Sequence, residues 1–492
     1  FGAAAPAMRL SEAGVRVTML EKGPDIDPDR DFRQTQDPRY LLKYIKGIGG
    51  DKVTLTYVEG LGGGSGFYEL ISLRAPSRAF AQVDHRGRRL WPGGIDRPAL
   101  DPWYDVAEDM LNINQIAVED VPQSGIVFSK LMKNLGYSCD RAPYAVVGCQ
   151  GDGYCSSGGV FGAKQTLHGN YLQRARQGGL EIRTDCEALE IRARDEAFTD
   201  YADTVPLWAI PPRYDVRCRD GKTGEEFVVE TRVLVLAGGT VGTAKLLLQS
   251  DRMVRLGNQV GRNVATNGSV KAAGIIPDGF PDADMVRGRS HPGMISYEFL
   301  DSHGIVVSSH KPLPLFIVAA ARLVAEGEKR RPDYWGRPNQ ELMMKYRRRM
   351  VAVYALGLEP PNTVIRLDDD GKAVPKLDLD DRTRQYCAET RALLDSLFTR
   401  NGGRILDPCF VDREGQPHGD LYFSTGHMVG SARMAESRKT GVVDAGGEAF
   451  AYPGLYVTDG AAIPSSLAVN TSLTILANSE RIADRLCRRY AN

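Results

Sequence analysis

Residues 60–68 of this 492-residue chain read Gly-Leu-Gly-Gly-Gly-Ser-Gly-Phe-Tyr. Five glycines in seven residues allow a backbone to approach a bulky planar or phosphorylated ligand closely and to donate N–H groups to it. The preceding residues, Val53 to Val58, are typical of a strand, and two aromatic residues follow directly. Because a flexible linker lacks such neighbours, the pattern favours a ligand-binding loop.

The N-terminal residues predict part of a second ligand-binding unit. Residues 3–13 are small and helix-forming, Gly14 ends the helix, and Val15 to Leu20 form an apolar run that predicts a strand. Glu21 follows that strand directly. This order is typical of the second half of a dinucleotide-binding βαβ unit, although other α/β proteins contain the same elements.

The residues at the very start fit the same unit. Gly2 and Ala3 match the end of the motif G-x-G-x-x-G/A, and Glu21 stands where an acid binds the ribose of an adenine dinucleotide. We expect the first strand and the first two glycines on the natural polypeptide, about ten or more residues ahead of Phe1.

A third segment predicts a strand of a parallel sheet that leads into a helix. Residues 232–248 contain an apolar strand, a Gly-Gly turn at Gly238 and Gly239, and a helix. Upstream, residues 214–218 and 226–230 predict two paired strands around a glycine-containing turn.

A fourth segment lies near the C-terminus. Residues 454–461 predict a short strand that ends in Asp459 and Gly460. An amphipathic helix is predicted over residues 473–489.

The composition excludes several functions. Lys and Arg total 62, as do Asp and Glu, so the zero net charge leaves no electrostatic footprint for nucleic acid or an anionic membrane surface. The longest apolar run, residues 313–321, is far shorter than the ~18 residues of a membrane span. The charged (25%) and hydrophobic (42%) fractions are those of a globular protein, with length for two to four domains of ~150 residues.

Eight cysteines are too few for a disulfide scaffold. The expected location of the protein is cytoplasmic. Cys149 and Cys155 lie close together in sequence, but one pair with this gap does not predict a zinc site, so no metal is expected. Free thiols and a local disulfide both remain open for these two. Residues 195–213 are interpreted as an insertion between two strands, and the sequence assigns no function to them.

Together these motifs resemble those of the glucose–methanol–choline (GMC) flavoprotein oxidoreductases, especially the bacterial cholesterol-oxidase branch. The resemblance runs nearly end to end and keeps the order of the motifs. The family's flavin loop, G-x-G-G-G-S, matches residues 60–65, and its strand–turn–helix motif matches residues 235–247. Its histidine motif, V-x-D-G-x-x-I-P motif and N-P-x-x-T-I-x-A motif match residues 426–434, 457–464 and 470–477.

The resemblance implies an α/β, Rossmann-like FAD-binding domain of the GMC type, assembled from discontinuous segments, and an α+β substrate-binding domain with a large antiparallel sheet. The expected FAD-binding domain comprises residues 1–96, 181–265 and 421–492, and the substrate-binding domain comprises residues 97–180 and 266–420. FAD is the implied cofactor. A small-molecule alcohol is the implied substrate, with O2 or another electron acceptor. The oligomeric state is not predicted.

The resemblance also assigns cofactor-binding residues at glycine turns, strand ends and a helix start: Gly2, Ala3, Glu21, Gly62, Gly63, Gly64, Ser65, Tyr68, Ala188, Ala237, Gly238, Asp459, Gly460 and Ser472. Glu21 is expected at the adenosine ribose, Asp459 near the pyrophosphate or ribityl chain, and the backbone of Ala188 at the adenine. Tyr68 takes the place of a residue near the flavin, where an aromatic side chain can equally serve packing.

The expected chemistry needs two polar groups at one alcohol oxygen. Oxidation to a carbonyl removes the hydroxyl proton and passes a hydride from carbon to flavin N5. A near-neutral pKa suits histidine as the proton acceptor, and a neutral amide can hold the oxygen while donating to its developing charge. In the family these roles fall on the motif histidine and on a later residue, so His427 and Asn470 are expected as base and orienter.

One departure bears on the substrate. In cholesterol oxidases a catalytic Glu follows a strand of the substrate domain, whereas residues 306–312 carry Ser308 and Ser309 and no carboxylate. We therefore expect a sugar- or glycoside-type or other polar secondary alcohol, oxidised without isomerisation. A 3-hydroxysteroid oxidase, a GMC-fold lyase with redox-silent FAD and a non-catalytic homologue are the alternatives. His310 is the alternative to His427 in the pocket.

Overall fold

The computed structural model describes residues 1–35, 37–284, 293–310, 336–406 and 423–491. Within these ranges the α-helices are Ala4–Glu12, Pro28–Asp31, Pro38–Tyr44, Ser77–Phe80, Arg97–Met110, Gln123–Asn134, Tyr171–Gln177, Gly239–Gln249, Leu300–His303, Arg337–Arg349, Asp381–Thr399 and Ser472–Tyr490. Lys311 and Pro312, the end of the stretch compared with the steroid oxidases, lie outside the described residues.

Two parallel strand pairs mark the α/β part of the molecule. Thr18–Leu20 pairs in parallel with Glu181–Arg183, and Leu234–Leu236 pairs in parallel with Tyr452–Val457. The second sheet continues to Glu448–Ala449. Because parallel neighbours need crossover connections, segments distant in the sequence meet in these sheets.

A large antiparallel sheet forms the second part. Its six strands follow one another across the sheet in the order Arg404–Leu406, Val270–Ile275, Met350–Gly357, Ile305–Ser309, Met294–Ser296 and Asp140–Arg141. Smaller sheets surround it and the parallel pairs: Tyr214–Asp220 between Cys186–Ala193 and Glu226–Thr231; Val53–Val58 between Ile45–Gly50 and Phe423–Thr425; Ile113–Gln115 with Pro143–Ala145; and Ala373–Leu377, Thr363–Leu367, Arg262–Ala265 and Val429–Ser431 in that order.

The two faces of the six-stranded sheet differ. The helix Asp381–Thr399 covers one face, where a Cβ on Gly274 would lie 2.4 Å from the ring of Phe398. Lys271 lies three positions before Gly274 on the same strand. Because successive side chains alternate between the two faces, Lys271 belongs to the opposite face. Lys271 pairs with Tyr354, and Tyr354 pairs with Ser308, so the three side chains form a row across that face.

Small side chains decide how the N-terminal helix packs. Ala4–Glu12 buries Ala4, Ala5 and Ala7, which allows close approach to the helix Ser472–Tyr490. The Arg9 guanidinium donates to the carboxylate of Glu480 at 2.9 and 3.1 Å across this contact. The pairing fixes the start of the chain against its end.

Most of the predicted elements are confirmed. The strand Val53–Val58 has the predicted bounds, and the predicted helices over 3–13 and 473–489 correspond to Ala4–Glu12 and Ser472–Tyr490. The predicted start of the strand at Val15 is wrong by three residues. The strand is Thr18–Leu20, because its partner Glu181–Arg183 offers three residues for pairing.

The proposed insertion, residues 195–213, joins the antiparallel neighbours Cys186–Ala193 and Tyr214–Asp220, as interpreted from the sequence. It contains two short 3-10 turns, Asp195–Phe198 and Leu207–Ala209. Among the described residues, no helix has both the length and the apolar character that a bilayer span needs.

Candidate active site

The glycine loop leaves an open edge beside a fixed backbone. Gly62 and Gly63 have φ of +86° and +52°, which few other residues adopt. A Cβ added at Gly63 or Gly64 would meet no atom within 4 Å. Ser65 is fully buried; its hydroxyl donates to the Gly62 carbonyl at 2.7 Å and accepts from the Leu167 N–H at 3.1 Å. The loop is therefore fixed on the side of Ser65 and open on the side of Gly63 and Gly64.

A buried lysine supports the end of this loop. The Lys164 ammonium donates to the carbonyl oxygens of Gly66, Tyr68 and Cys155 at 2.9, 2.8 and 2.7 Å. The hydroxyl of Tyr68 donates to the Gln165 carbonyl at 2.8 Å, so the ring of Tyr68 has a fixed direction. No sequence pattern points to Lys164, because it lies far along the chain from the loop that it supports.

The predicted ribose-binding acid lies at a strand end. Glu21 follows Thr18–Leu20, and its Oε1 accepts from the Gly23 N–H at 2.8 Å. Burial raises the pKa of Glu21, and the N–H groups of Gly23 and Gly60 oppose that rise. The Cys186 N–H donates to the Glu21 carbonyl at 2.9 Å, which brings the strand that carries Ala188 alongside.

Asp459 connects three of the predicted cofactor segments. It accepts from the Gly239 N–H at 2.7 Å, the Thr243 hydroxyl at 2.6 Å and the Ala461 N–H at 2.8 Å. A Cβ on Gly2 would lie 2.5 Å from the Asp459 Cα, so no larger residue fits there. Ala3, Ala237, Gly238 and Gly460 adjoin these contacts, whereas Ser472 begins the helix Ser472–Tyr490.

The two predicted catalytic residues are in contact. Asn470 Nδ2 lies 3.1 Å from His427 Nε2, and both side chains are partly exposed. An amide nitrogen donates, so Nε2 is the acceptor and carries a lone pair. Burial, and then the ammonium of Lys271, lower the pKa of His427 to about 4. At neutral pH the imidazole is uncharged, as a proton acceptor must be.

The row on the open face of the six-stranded sheet reaches this pair. Burial raises the pKa of Tyr354 to about 12, and the neighbouring polar side chains of Ser308 and Asn470 oppose that rise. The ring of His310 makes an edge contact with Tyr354, 6.0 Å between centroids. Tyr354 therefore lies between His310 and Asn470 in the structure. Sequence reasoning missed Tyr354 because its place depends on strand register.

A carboxylate from another element lies near this row. Burial and then the charge of Tyr354 and of Glu69 raise the pKa of Tyr144, and Glu69 also acts on Tyr354. Glu69 directly follows Tyr68, so the segment after the glycine loop brings an acid toward the side of Tyr354. The absence of a carboxylate at Ser308 and Ser309 therefore does not make the surroundings of Asn470 free of acids.

Comparison with protein families identifies the chain. Two family models, both described as GMC oxidoreductase, match residues 11–267 and 366–479. The chain belongs to the GMC oxidoreductase family, whose members are FAD-binding flavoproteins. The resemblance found in the motifs is confirmed, and so is the fold class with its large antiparallel sheet.

Individual relatives are distant in sequence but cover nearly all of the chain. A long-chain-alcohol oxidase of Arabidopsis thaliana is 23% identical over all of this chain and 66% of its own length. A cholesterol oxidase of Mycobacterium tuberculosis is 25% identical over 98% of this chain and 89% of its own. A paromamine 6'-oxidase of Streptomyces fradiae is 25% identical over 97% and 88%.

Solved structures agree on the fold. The crystal structure of a pyridoxine 4-oxidase from Mesorbium loti superposes with a TM-score of 0.64, covering 98% of this chain and 97% of that one at 16% identity. A formate oxidase gives a TM-score of 0.67 at 14% identity, covering 99% and 96%. At these identities the likeness concerns the fold.

The residues present fit FAD. The open edge at Gly63 and Gly64 leaves room for a ligand, and a carboxylate stands at the end of a parallel strand. Gly2 lies just before the start of the helix Ala4–Glu12, whose first N–H groups favour a pyrophosphate. The protein is an FAD-dependent oxidoreductase that acts on CH–OH groups.

Proposed function

We propose that the protein oxidises a polar secondary alcohol to a carbonyl, with His427 as base and Asn470 as the group that orients the alcohol. The contact of 3.1 Å between His427 Nε2 and Asn470 Nδ2 carries this proposal. An acceptor and a donor that meet at one point match the two needs of a hydroxyl group: it donates its proton and its oxygen accepts a hydrogen bond.

A substrate hydroxyl placed between the two side chains replaces their mutual hydrogen bond. Its O–H donates to His427 Nε2, and its oxygen accepts from Asn470 Nδ2. As the proton moves to the imidazole, the amide stabilises the charge that develops on the oxygen. When bound, FAD supplies the acceptor for the hydride that leaves the alcohol carbon. O2 or another oxidant would take the electrons onward.

The surroundings of the pair favour a substrate with several polar groups. Tyr354, Ser308 and Lys271 offer hydroxyl and ammonium groups in one row, and Glu69 acts on the same row. A sterol has a single hydroxyl, which His427 and Asn470 would take, so it would bring apolar surface against this polar row and displace water without replacing its hydrogen bonds.

An anaerobic substrate panel followed by flavin absorbance tests the proposal. It should contain sugars, glycosides and amino sugars on one side, and a 3-hydroxysteroid and a long-chain primary alcohol on the other. Bleaching by a polar secondary alcohol, with a carbonyl product, is expected. Efficient conversion of the steroid to an ultraviolet-absorbing enone would contradict the substrate class, and an oxidised flavin throughout would contradict the reaction.

A further inference from the structure

The loop that carries Asn470 is held by one buried amide. Asn267 Oδ1 accepts from the N–H groups of Leu467 and Ala468 at 2.7 and 3.1 Å, and Asn267 Nδ2 donates to the Val469 carbonyl at 2.8 Å. Ala468 has a φ of +58°, a conformation that a non-glycine residue adopts at a cost. The three hydrogen bonds therefore fix the backbone immediately before Asn470.

Asn267 is in turn held on both sides by one carboxylate. The Thr266 hydroxyl donates to Glu359 Oε1 and Oε2 at 3.0 and 2.7 Å, and the Gly268 N–H donates to Glu359 Oε2 at 2.5 Å. Glu359 is fully buried. Asn267 itself has a φ of +64°, and the contacts of its two neighbours with Glu359 stabilise that conformation.

Helix Asp381–Thr399 closes the other side of this turn. The Tyr386 hydroxyl donates to the Gly268 carbonyl at 2.6 Å, and a Cβ on Gly268 would lie 2.4 Å from that hydroxyl oxygen. The Gly357 N–H donates to the Asn267 carbonyl at 3.1 Å. The turn is therefore held by hydrogen bonds from three directions and has no room to shift without losing some of them.

We propose that Glu359 is a positioning residue for the alcohol oxidation, which acts through Asn267 to hold Asn470 against His427. The inference rests on the proposed function, because it gives Glu359 a role in that reaction. Glu359 lies two hydrogen-bonded steps from the Asn470 loop and does not itself touch the pair. Its removal would free the turn at Asn267 and let the amide of Asn470 move.

The charge state of Glu359 gives the network a second property. Burial raises the pKa of Glu359 to about 7, against hydrogen bonds from Thr266, Gly268 and Asn362 that favour the charged form. The titratable groups that face it come from one helix and its cap: Asp380, Tyr386 and Cys387. The charged form accepts hydrogen bonds that are roughly twice as strong as neutral ones, so it holds the turn more firmly.

Four variants test the proposal. Glu359→Ala removes the acceptor, whereas Glu359→Gln keeps an oxygen for the Gly268 N–H and an amide that can donate to the Thr266 hydroxyl. Thr266→Val weakens the same contact in a milder way if Glu359→Ala does not fold. Glu480→Gln is the matched control, because Glu480 is equally buried at 2% exposure but pairs with Arg9, away from the turn.

The first readout needs no substrate. Hydrogen exchange at the amides of Leu467 and Ala468 should accelerate at least about tenfold in Glu359→Ala, or in Thr266→Val, and should stay unchanged in Glu480→Gln. Unchanged exchange at both amides in Glu359→Ala and Thr266→Val would overturn the proposal. This measurement concerns the loop alone, so it remains decisive even if the alcohol panel refutes the proposed reaction.

The second readout is the rate of flavin reduction at saturating alcohol. Glu359→Ala should retain FAD and lose roughly 100-fold in this rate, the effect expected of a displacement of about 1 Å at the reacting groups. Glu359→Gln should stay within about tenfold of the parent, a rescue that a merely space-filling role would not need. A rate in Glu359→Ala within about twofold of the Glu480→Gln rate would overturn the proposal.

The third readout is the pH profile of the same rate. In the parent the rate should rise with pH through about 7, as Glu359 becomes charged and holds the turn more firmly. Glu359→Gln should keep the low-pH rate across that range. Because the pKa of His427 is about 4, the histidine does not account for a step near pH 7. A step that persists in Glu359→Gln would contradict the role of the carboxylate.

Discussion

His427 Nε2 and Asn470 Nδ2 lie 3.1 Å apart, although 43 positions separate the two residues in the sequence. The histidine follows the strand Phe423–Thr425, and the asparagine precedes the helix Ser472–Tyr490. Two independent elements thus deliver an acceptor and a donor to one point. Their contact requires each element to be held in place. Asn267 binds the backbone that precedes Asn470, and Tyr354 lies beside the Asn470 side chain.

Replacement of the base should slow the chemistry without unfolding the protein. His427→Ala should retain FAD and reduce the flavin roughly 10²- to 10⁴-fold more slowly, the usual contribution of a positioned general base. The measurement is anaerobic stopped-flow reduction at saturating alcohol. His303→Ala is the control, because His303 is exposed at the end of Leu300–His303.

A rate constant for His427→Ala within about threefold of the parent would remove His427 from the mechanism. His310 is then the next candidate, since its ring contacts Tyr354, a neighbour of Asn470. The same stopped-flow experiment on His310→Ala would show whether that histidine carries the proton transfer instead.

Asn470 and His427 should not act independently. Asn470→Ala should raise the activation free energy of flavin reduction by about 3 kcal/mol, because the hydrogen bond to the developing oxyanion is lost. Because both groups act on one oxygen, the double variant should lose less than the sum of the two single losses. Fully additive losses in the four-rate cycle would mean that the two side chains serve separate steps.

Local patterns made several parts of this protein predictable. The glycine loop, the strand Val53–Val58 and the helix Ser472–Tyr490 depend on neighbouring residues, so composition and periodicity reveal them. His427 and Asn470 were found through family motifs rather than through any local pattern, since nothing in the residues between them sets their distance. The cofactor residues and domain bounds remain predictions.

The residues that the sequence did not reveal share a different property. Tyr354 reaches Asn470 because its strand is in register with Lys271 and Ser308, which lie far from it in the chain. Asn267 and Glu359 each act through three hydrogen bonds to loop residues distant in the sequence. Register and loop contacts depend on the packed tertiary structure, and neither produces a periodic signal in one sequence.

The hydroxyl of Tyr354 should contribute modestly to the reaction. Tyr354→Phe removes the hydroxyl that neighbours Asn470 and keeps the ring, so flavin reduction should slow about two- to tenfold, the effect of one neutral polar contact. Tyr137→Phe is the matched control, because its hydroxyl contacts Arg400 at the periphery. Equal rates in the two variants would show that Tyr354 does not support Asn470.

A side chain added at the open edge of the glycine loop should weaken FAD binding without preventing folding. Gly64→Val adds a side chain where no protein atom lies within 4 Å, so the chain should fold while the bound flavin is excluded. We expect at least a tenfold loss of FAD affinity, or about 1.4 kcal/mol, measured by titration of the apoprotein. Gly279→Val, at an equally open position, is the control.

Full flavin loading of Gly64→Val would place the cofactor elsewhere than along Gly62, Gly63 and Gly64. Loss of the far-ultraviolet circular dichroism signal would instead show that the loop is needed for folding. The two outcomes are separated by recording the dichroism of the apoprotein before FAD is added.

The buried carboxyl of Glu359 should make stability depend on pH. Its pKa rises from 4.5 to about 7 on folding, chiefly through burial, so the folded protein binds this proton more tightly than the unfolded chain. The contribution is fully present below pH 4.5, where both states are protonated, and is lost as pH rises through about 7. The free energy of unfolding of the parent, relative to Glu359→Gln, should therefore fall by up to about 3 kcal/mol between about pH 4.5 and about pH 8. Urea denaturation of both proteins at these two pH values measures the difference, and His427 cancels because it is present in both. A difference that is the same at both pH values would show that Glu359 is already charged in the folded protein at acid pH.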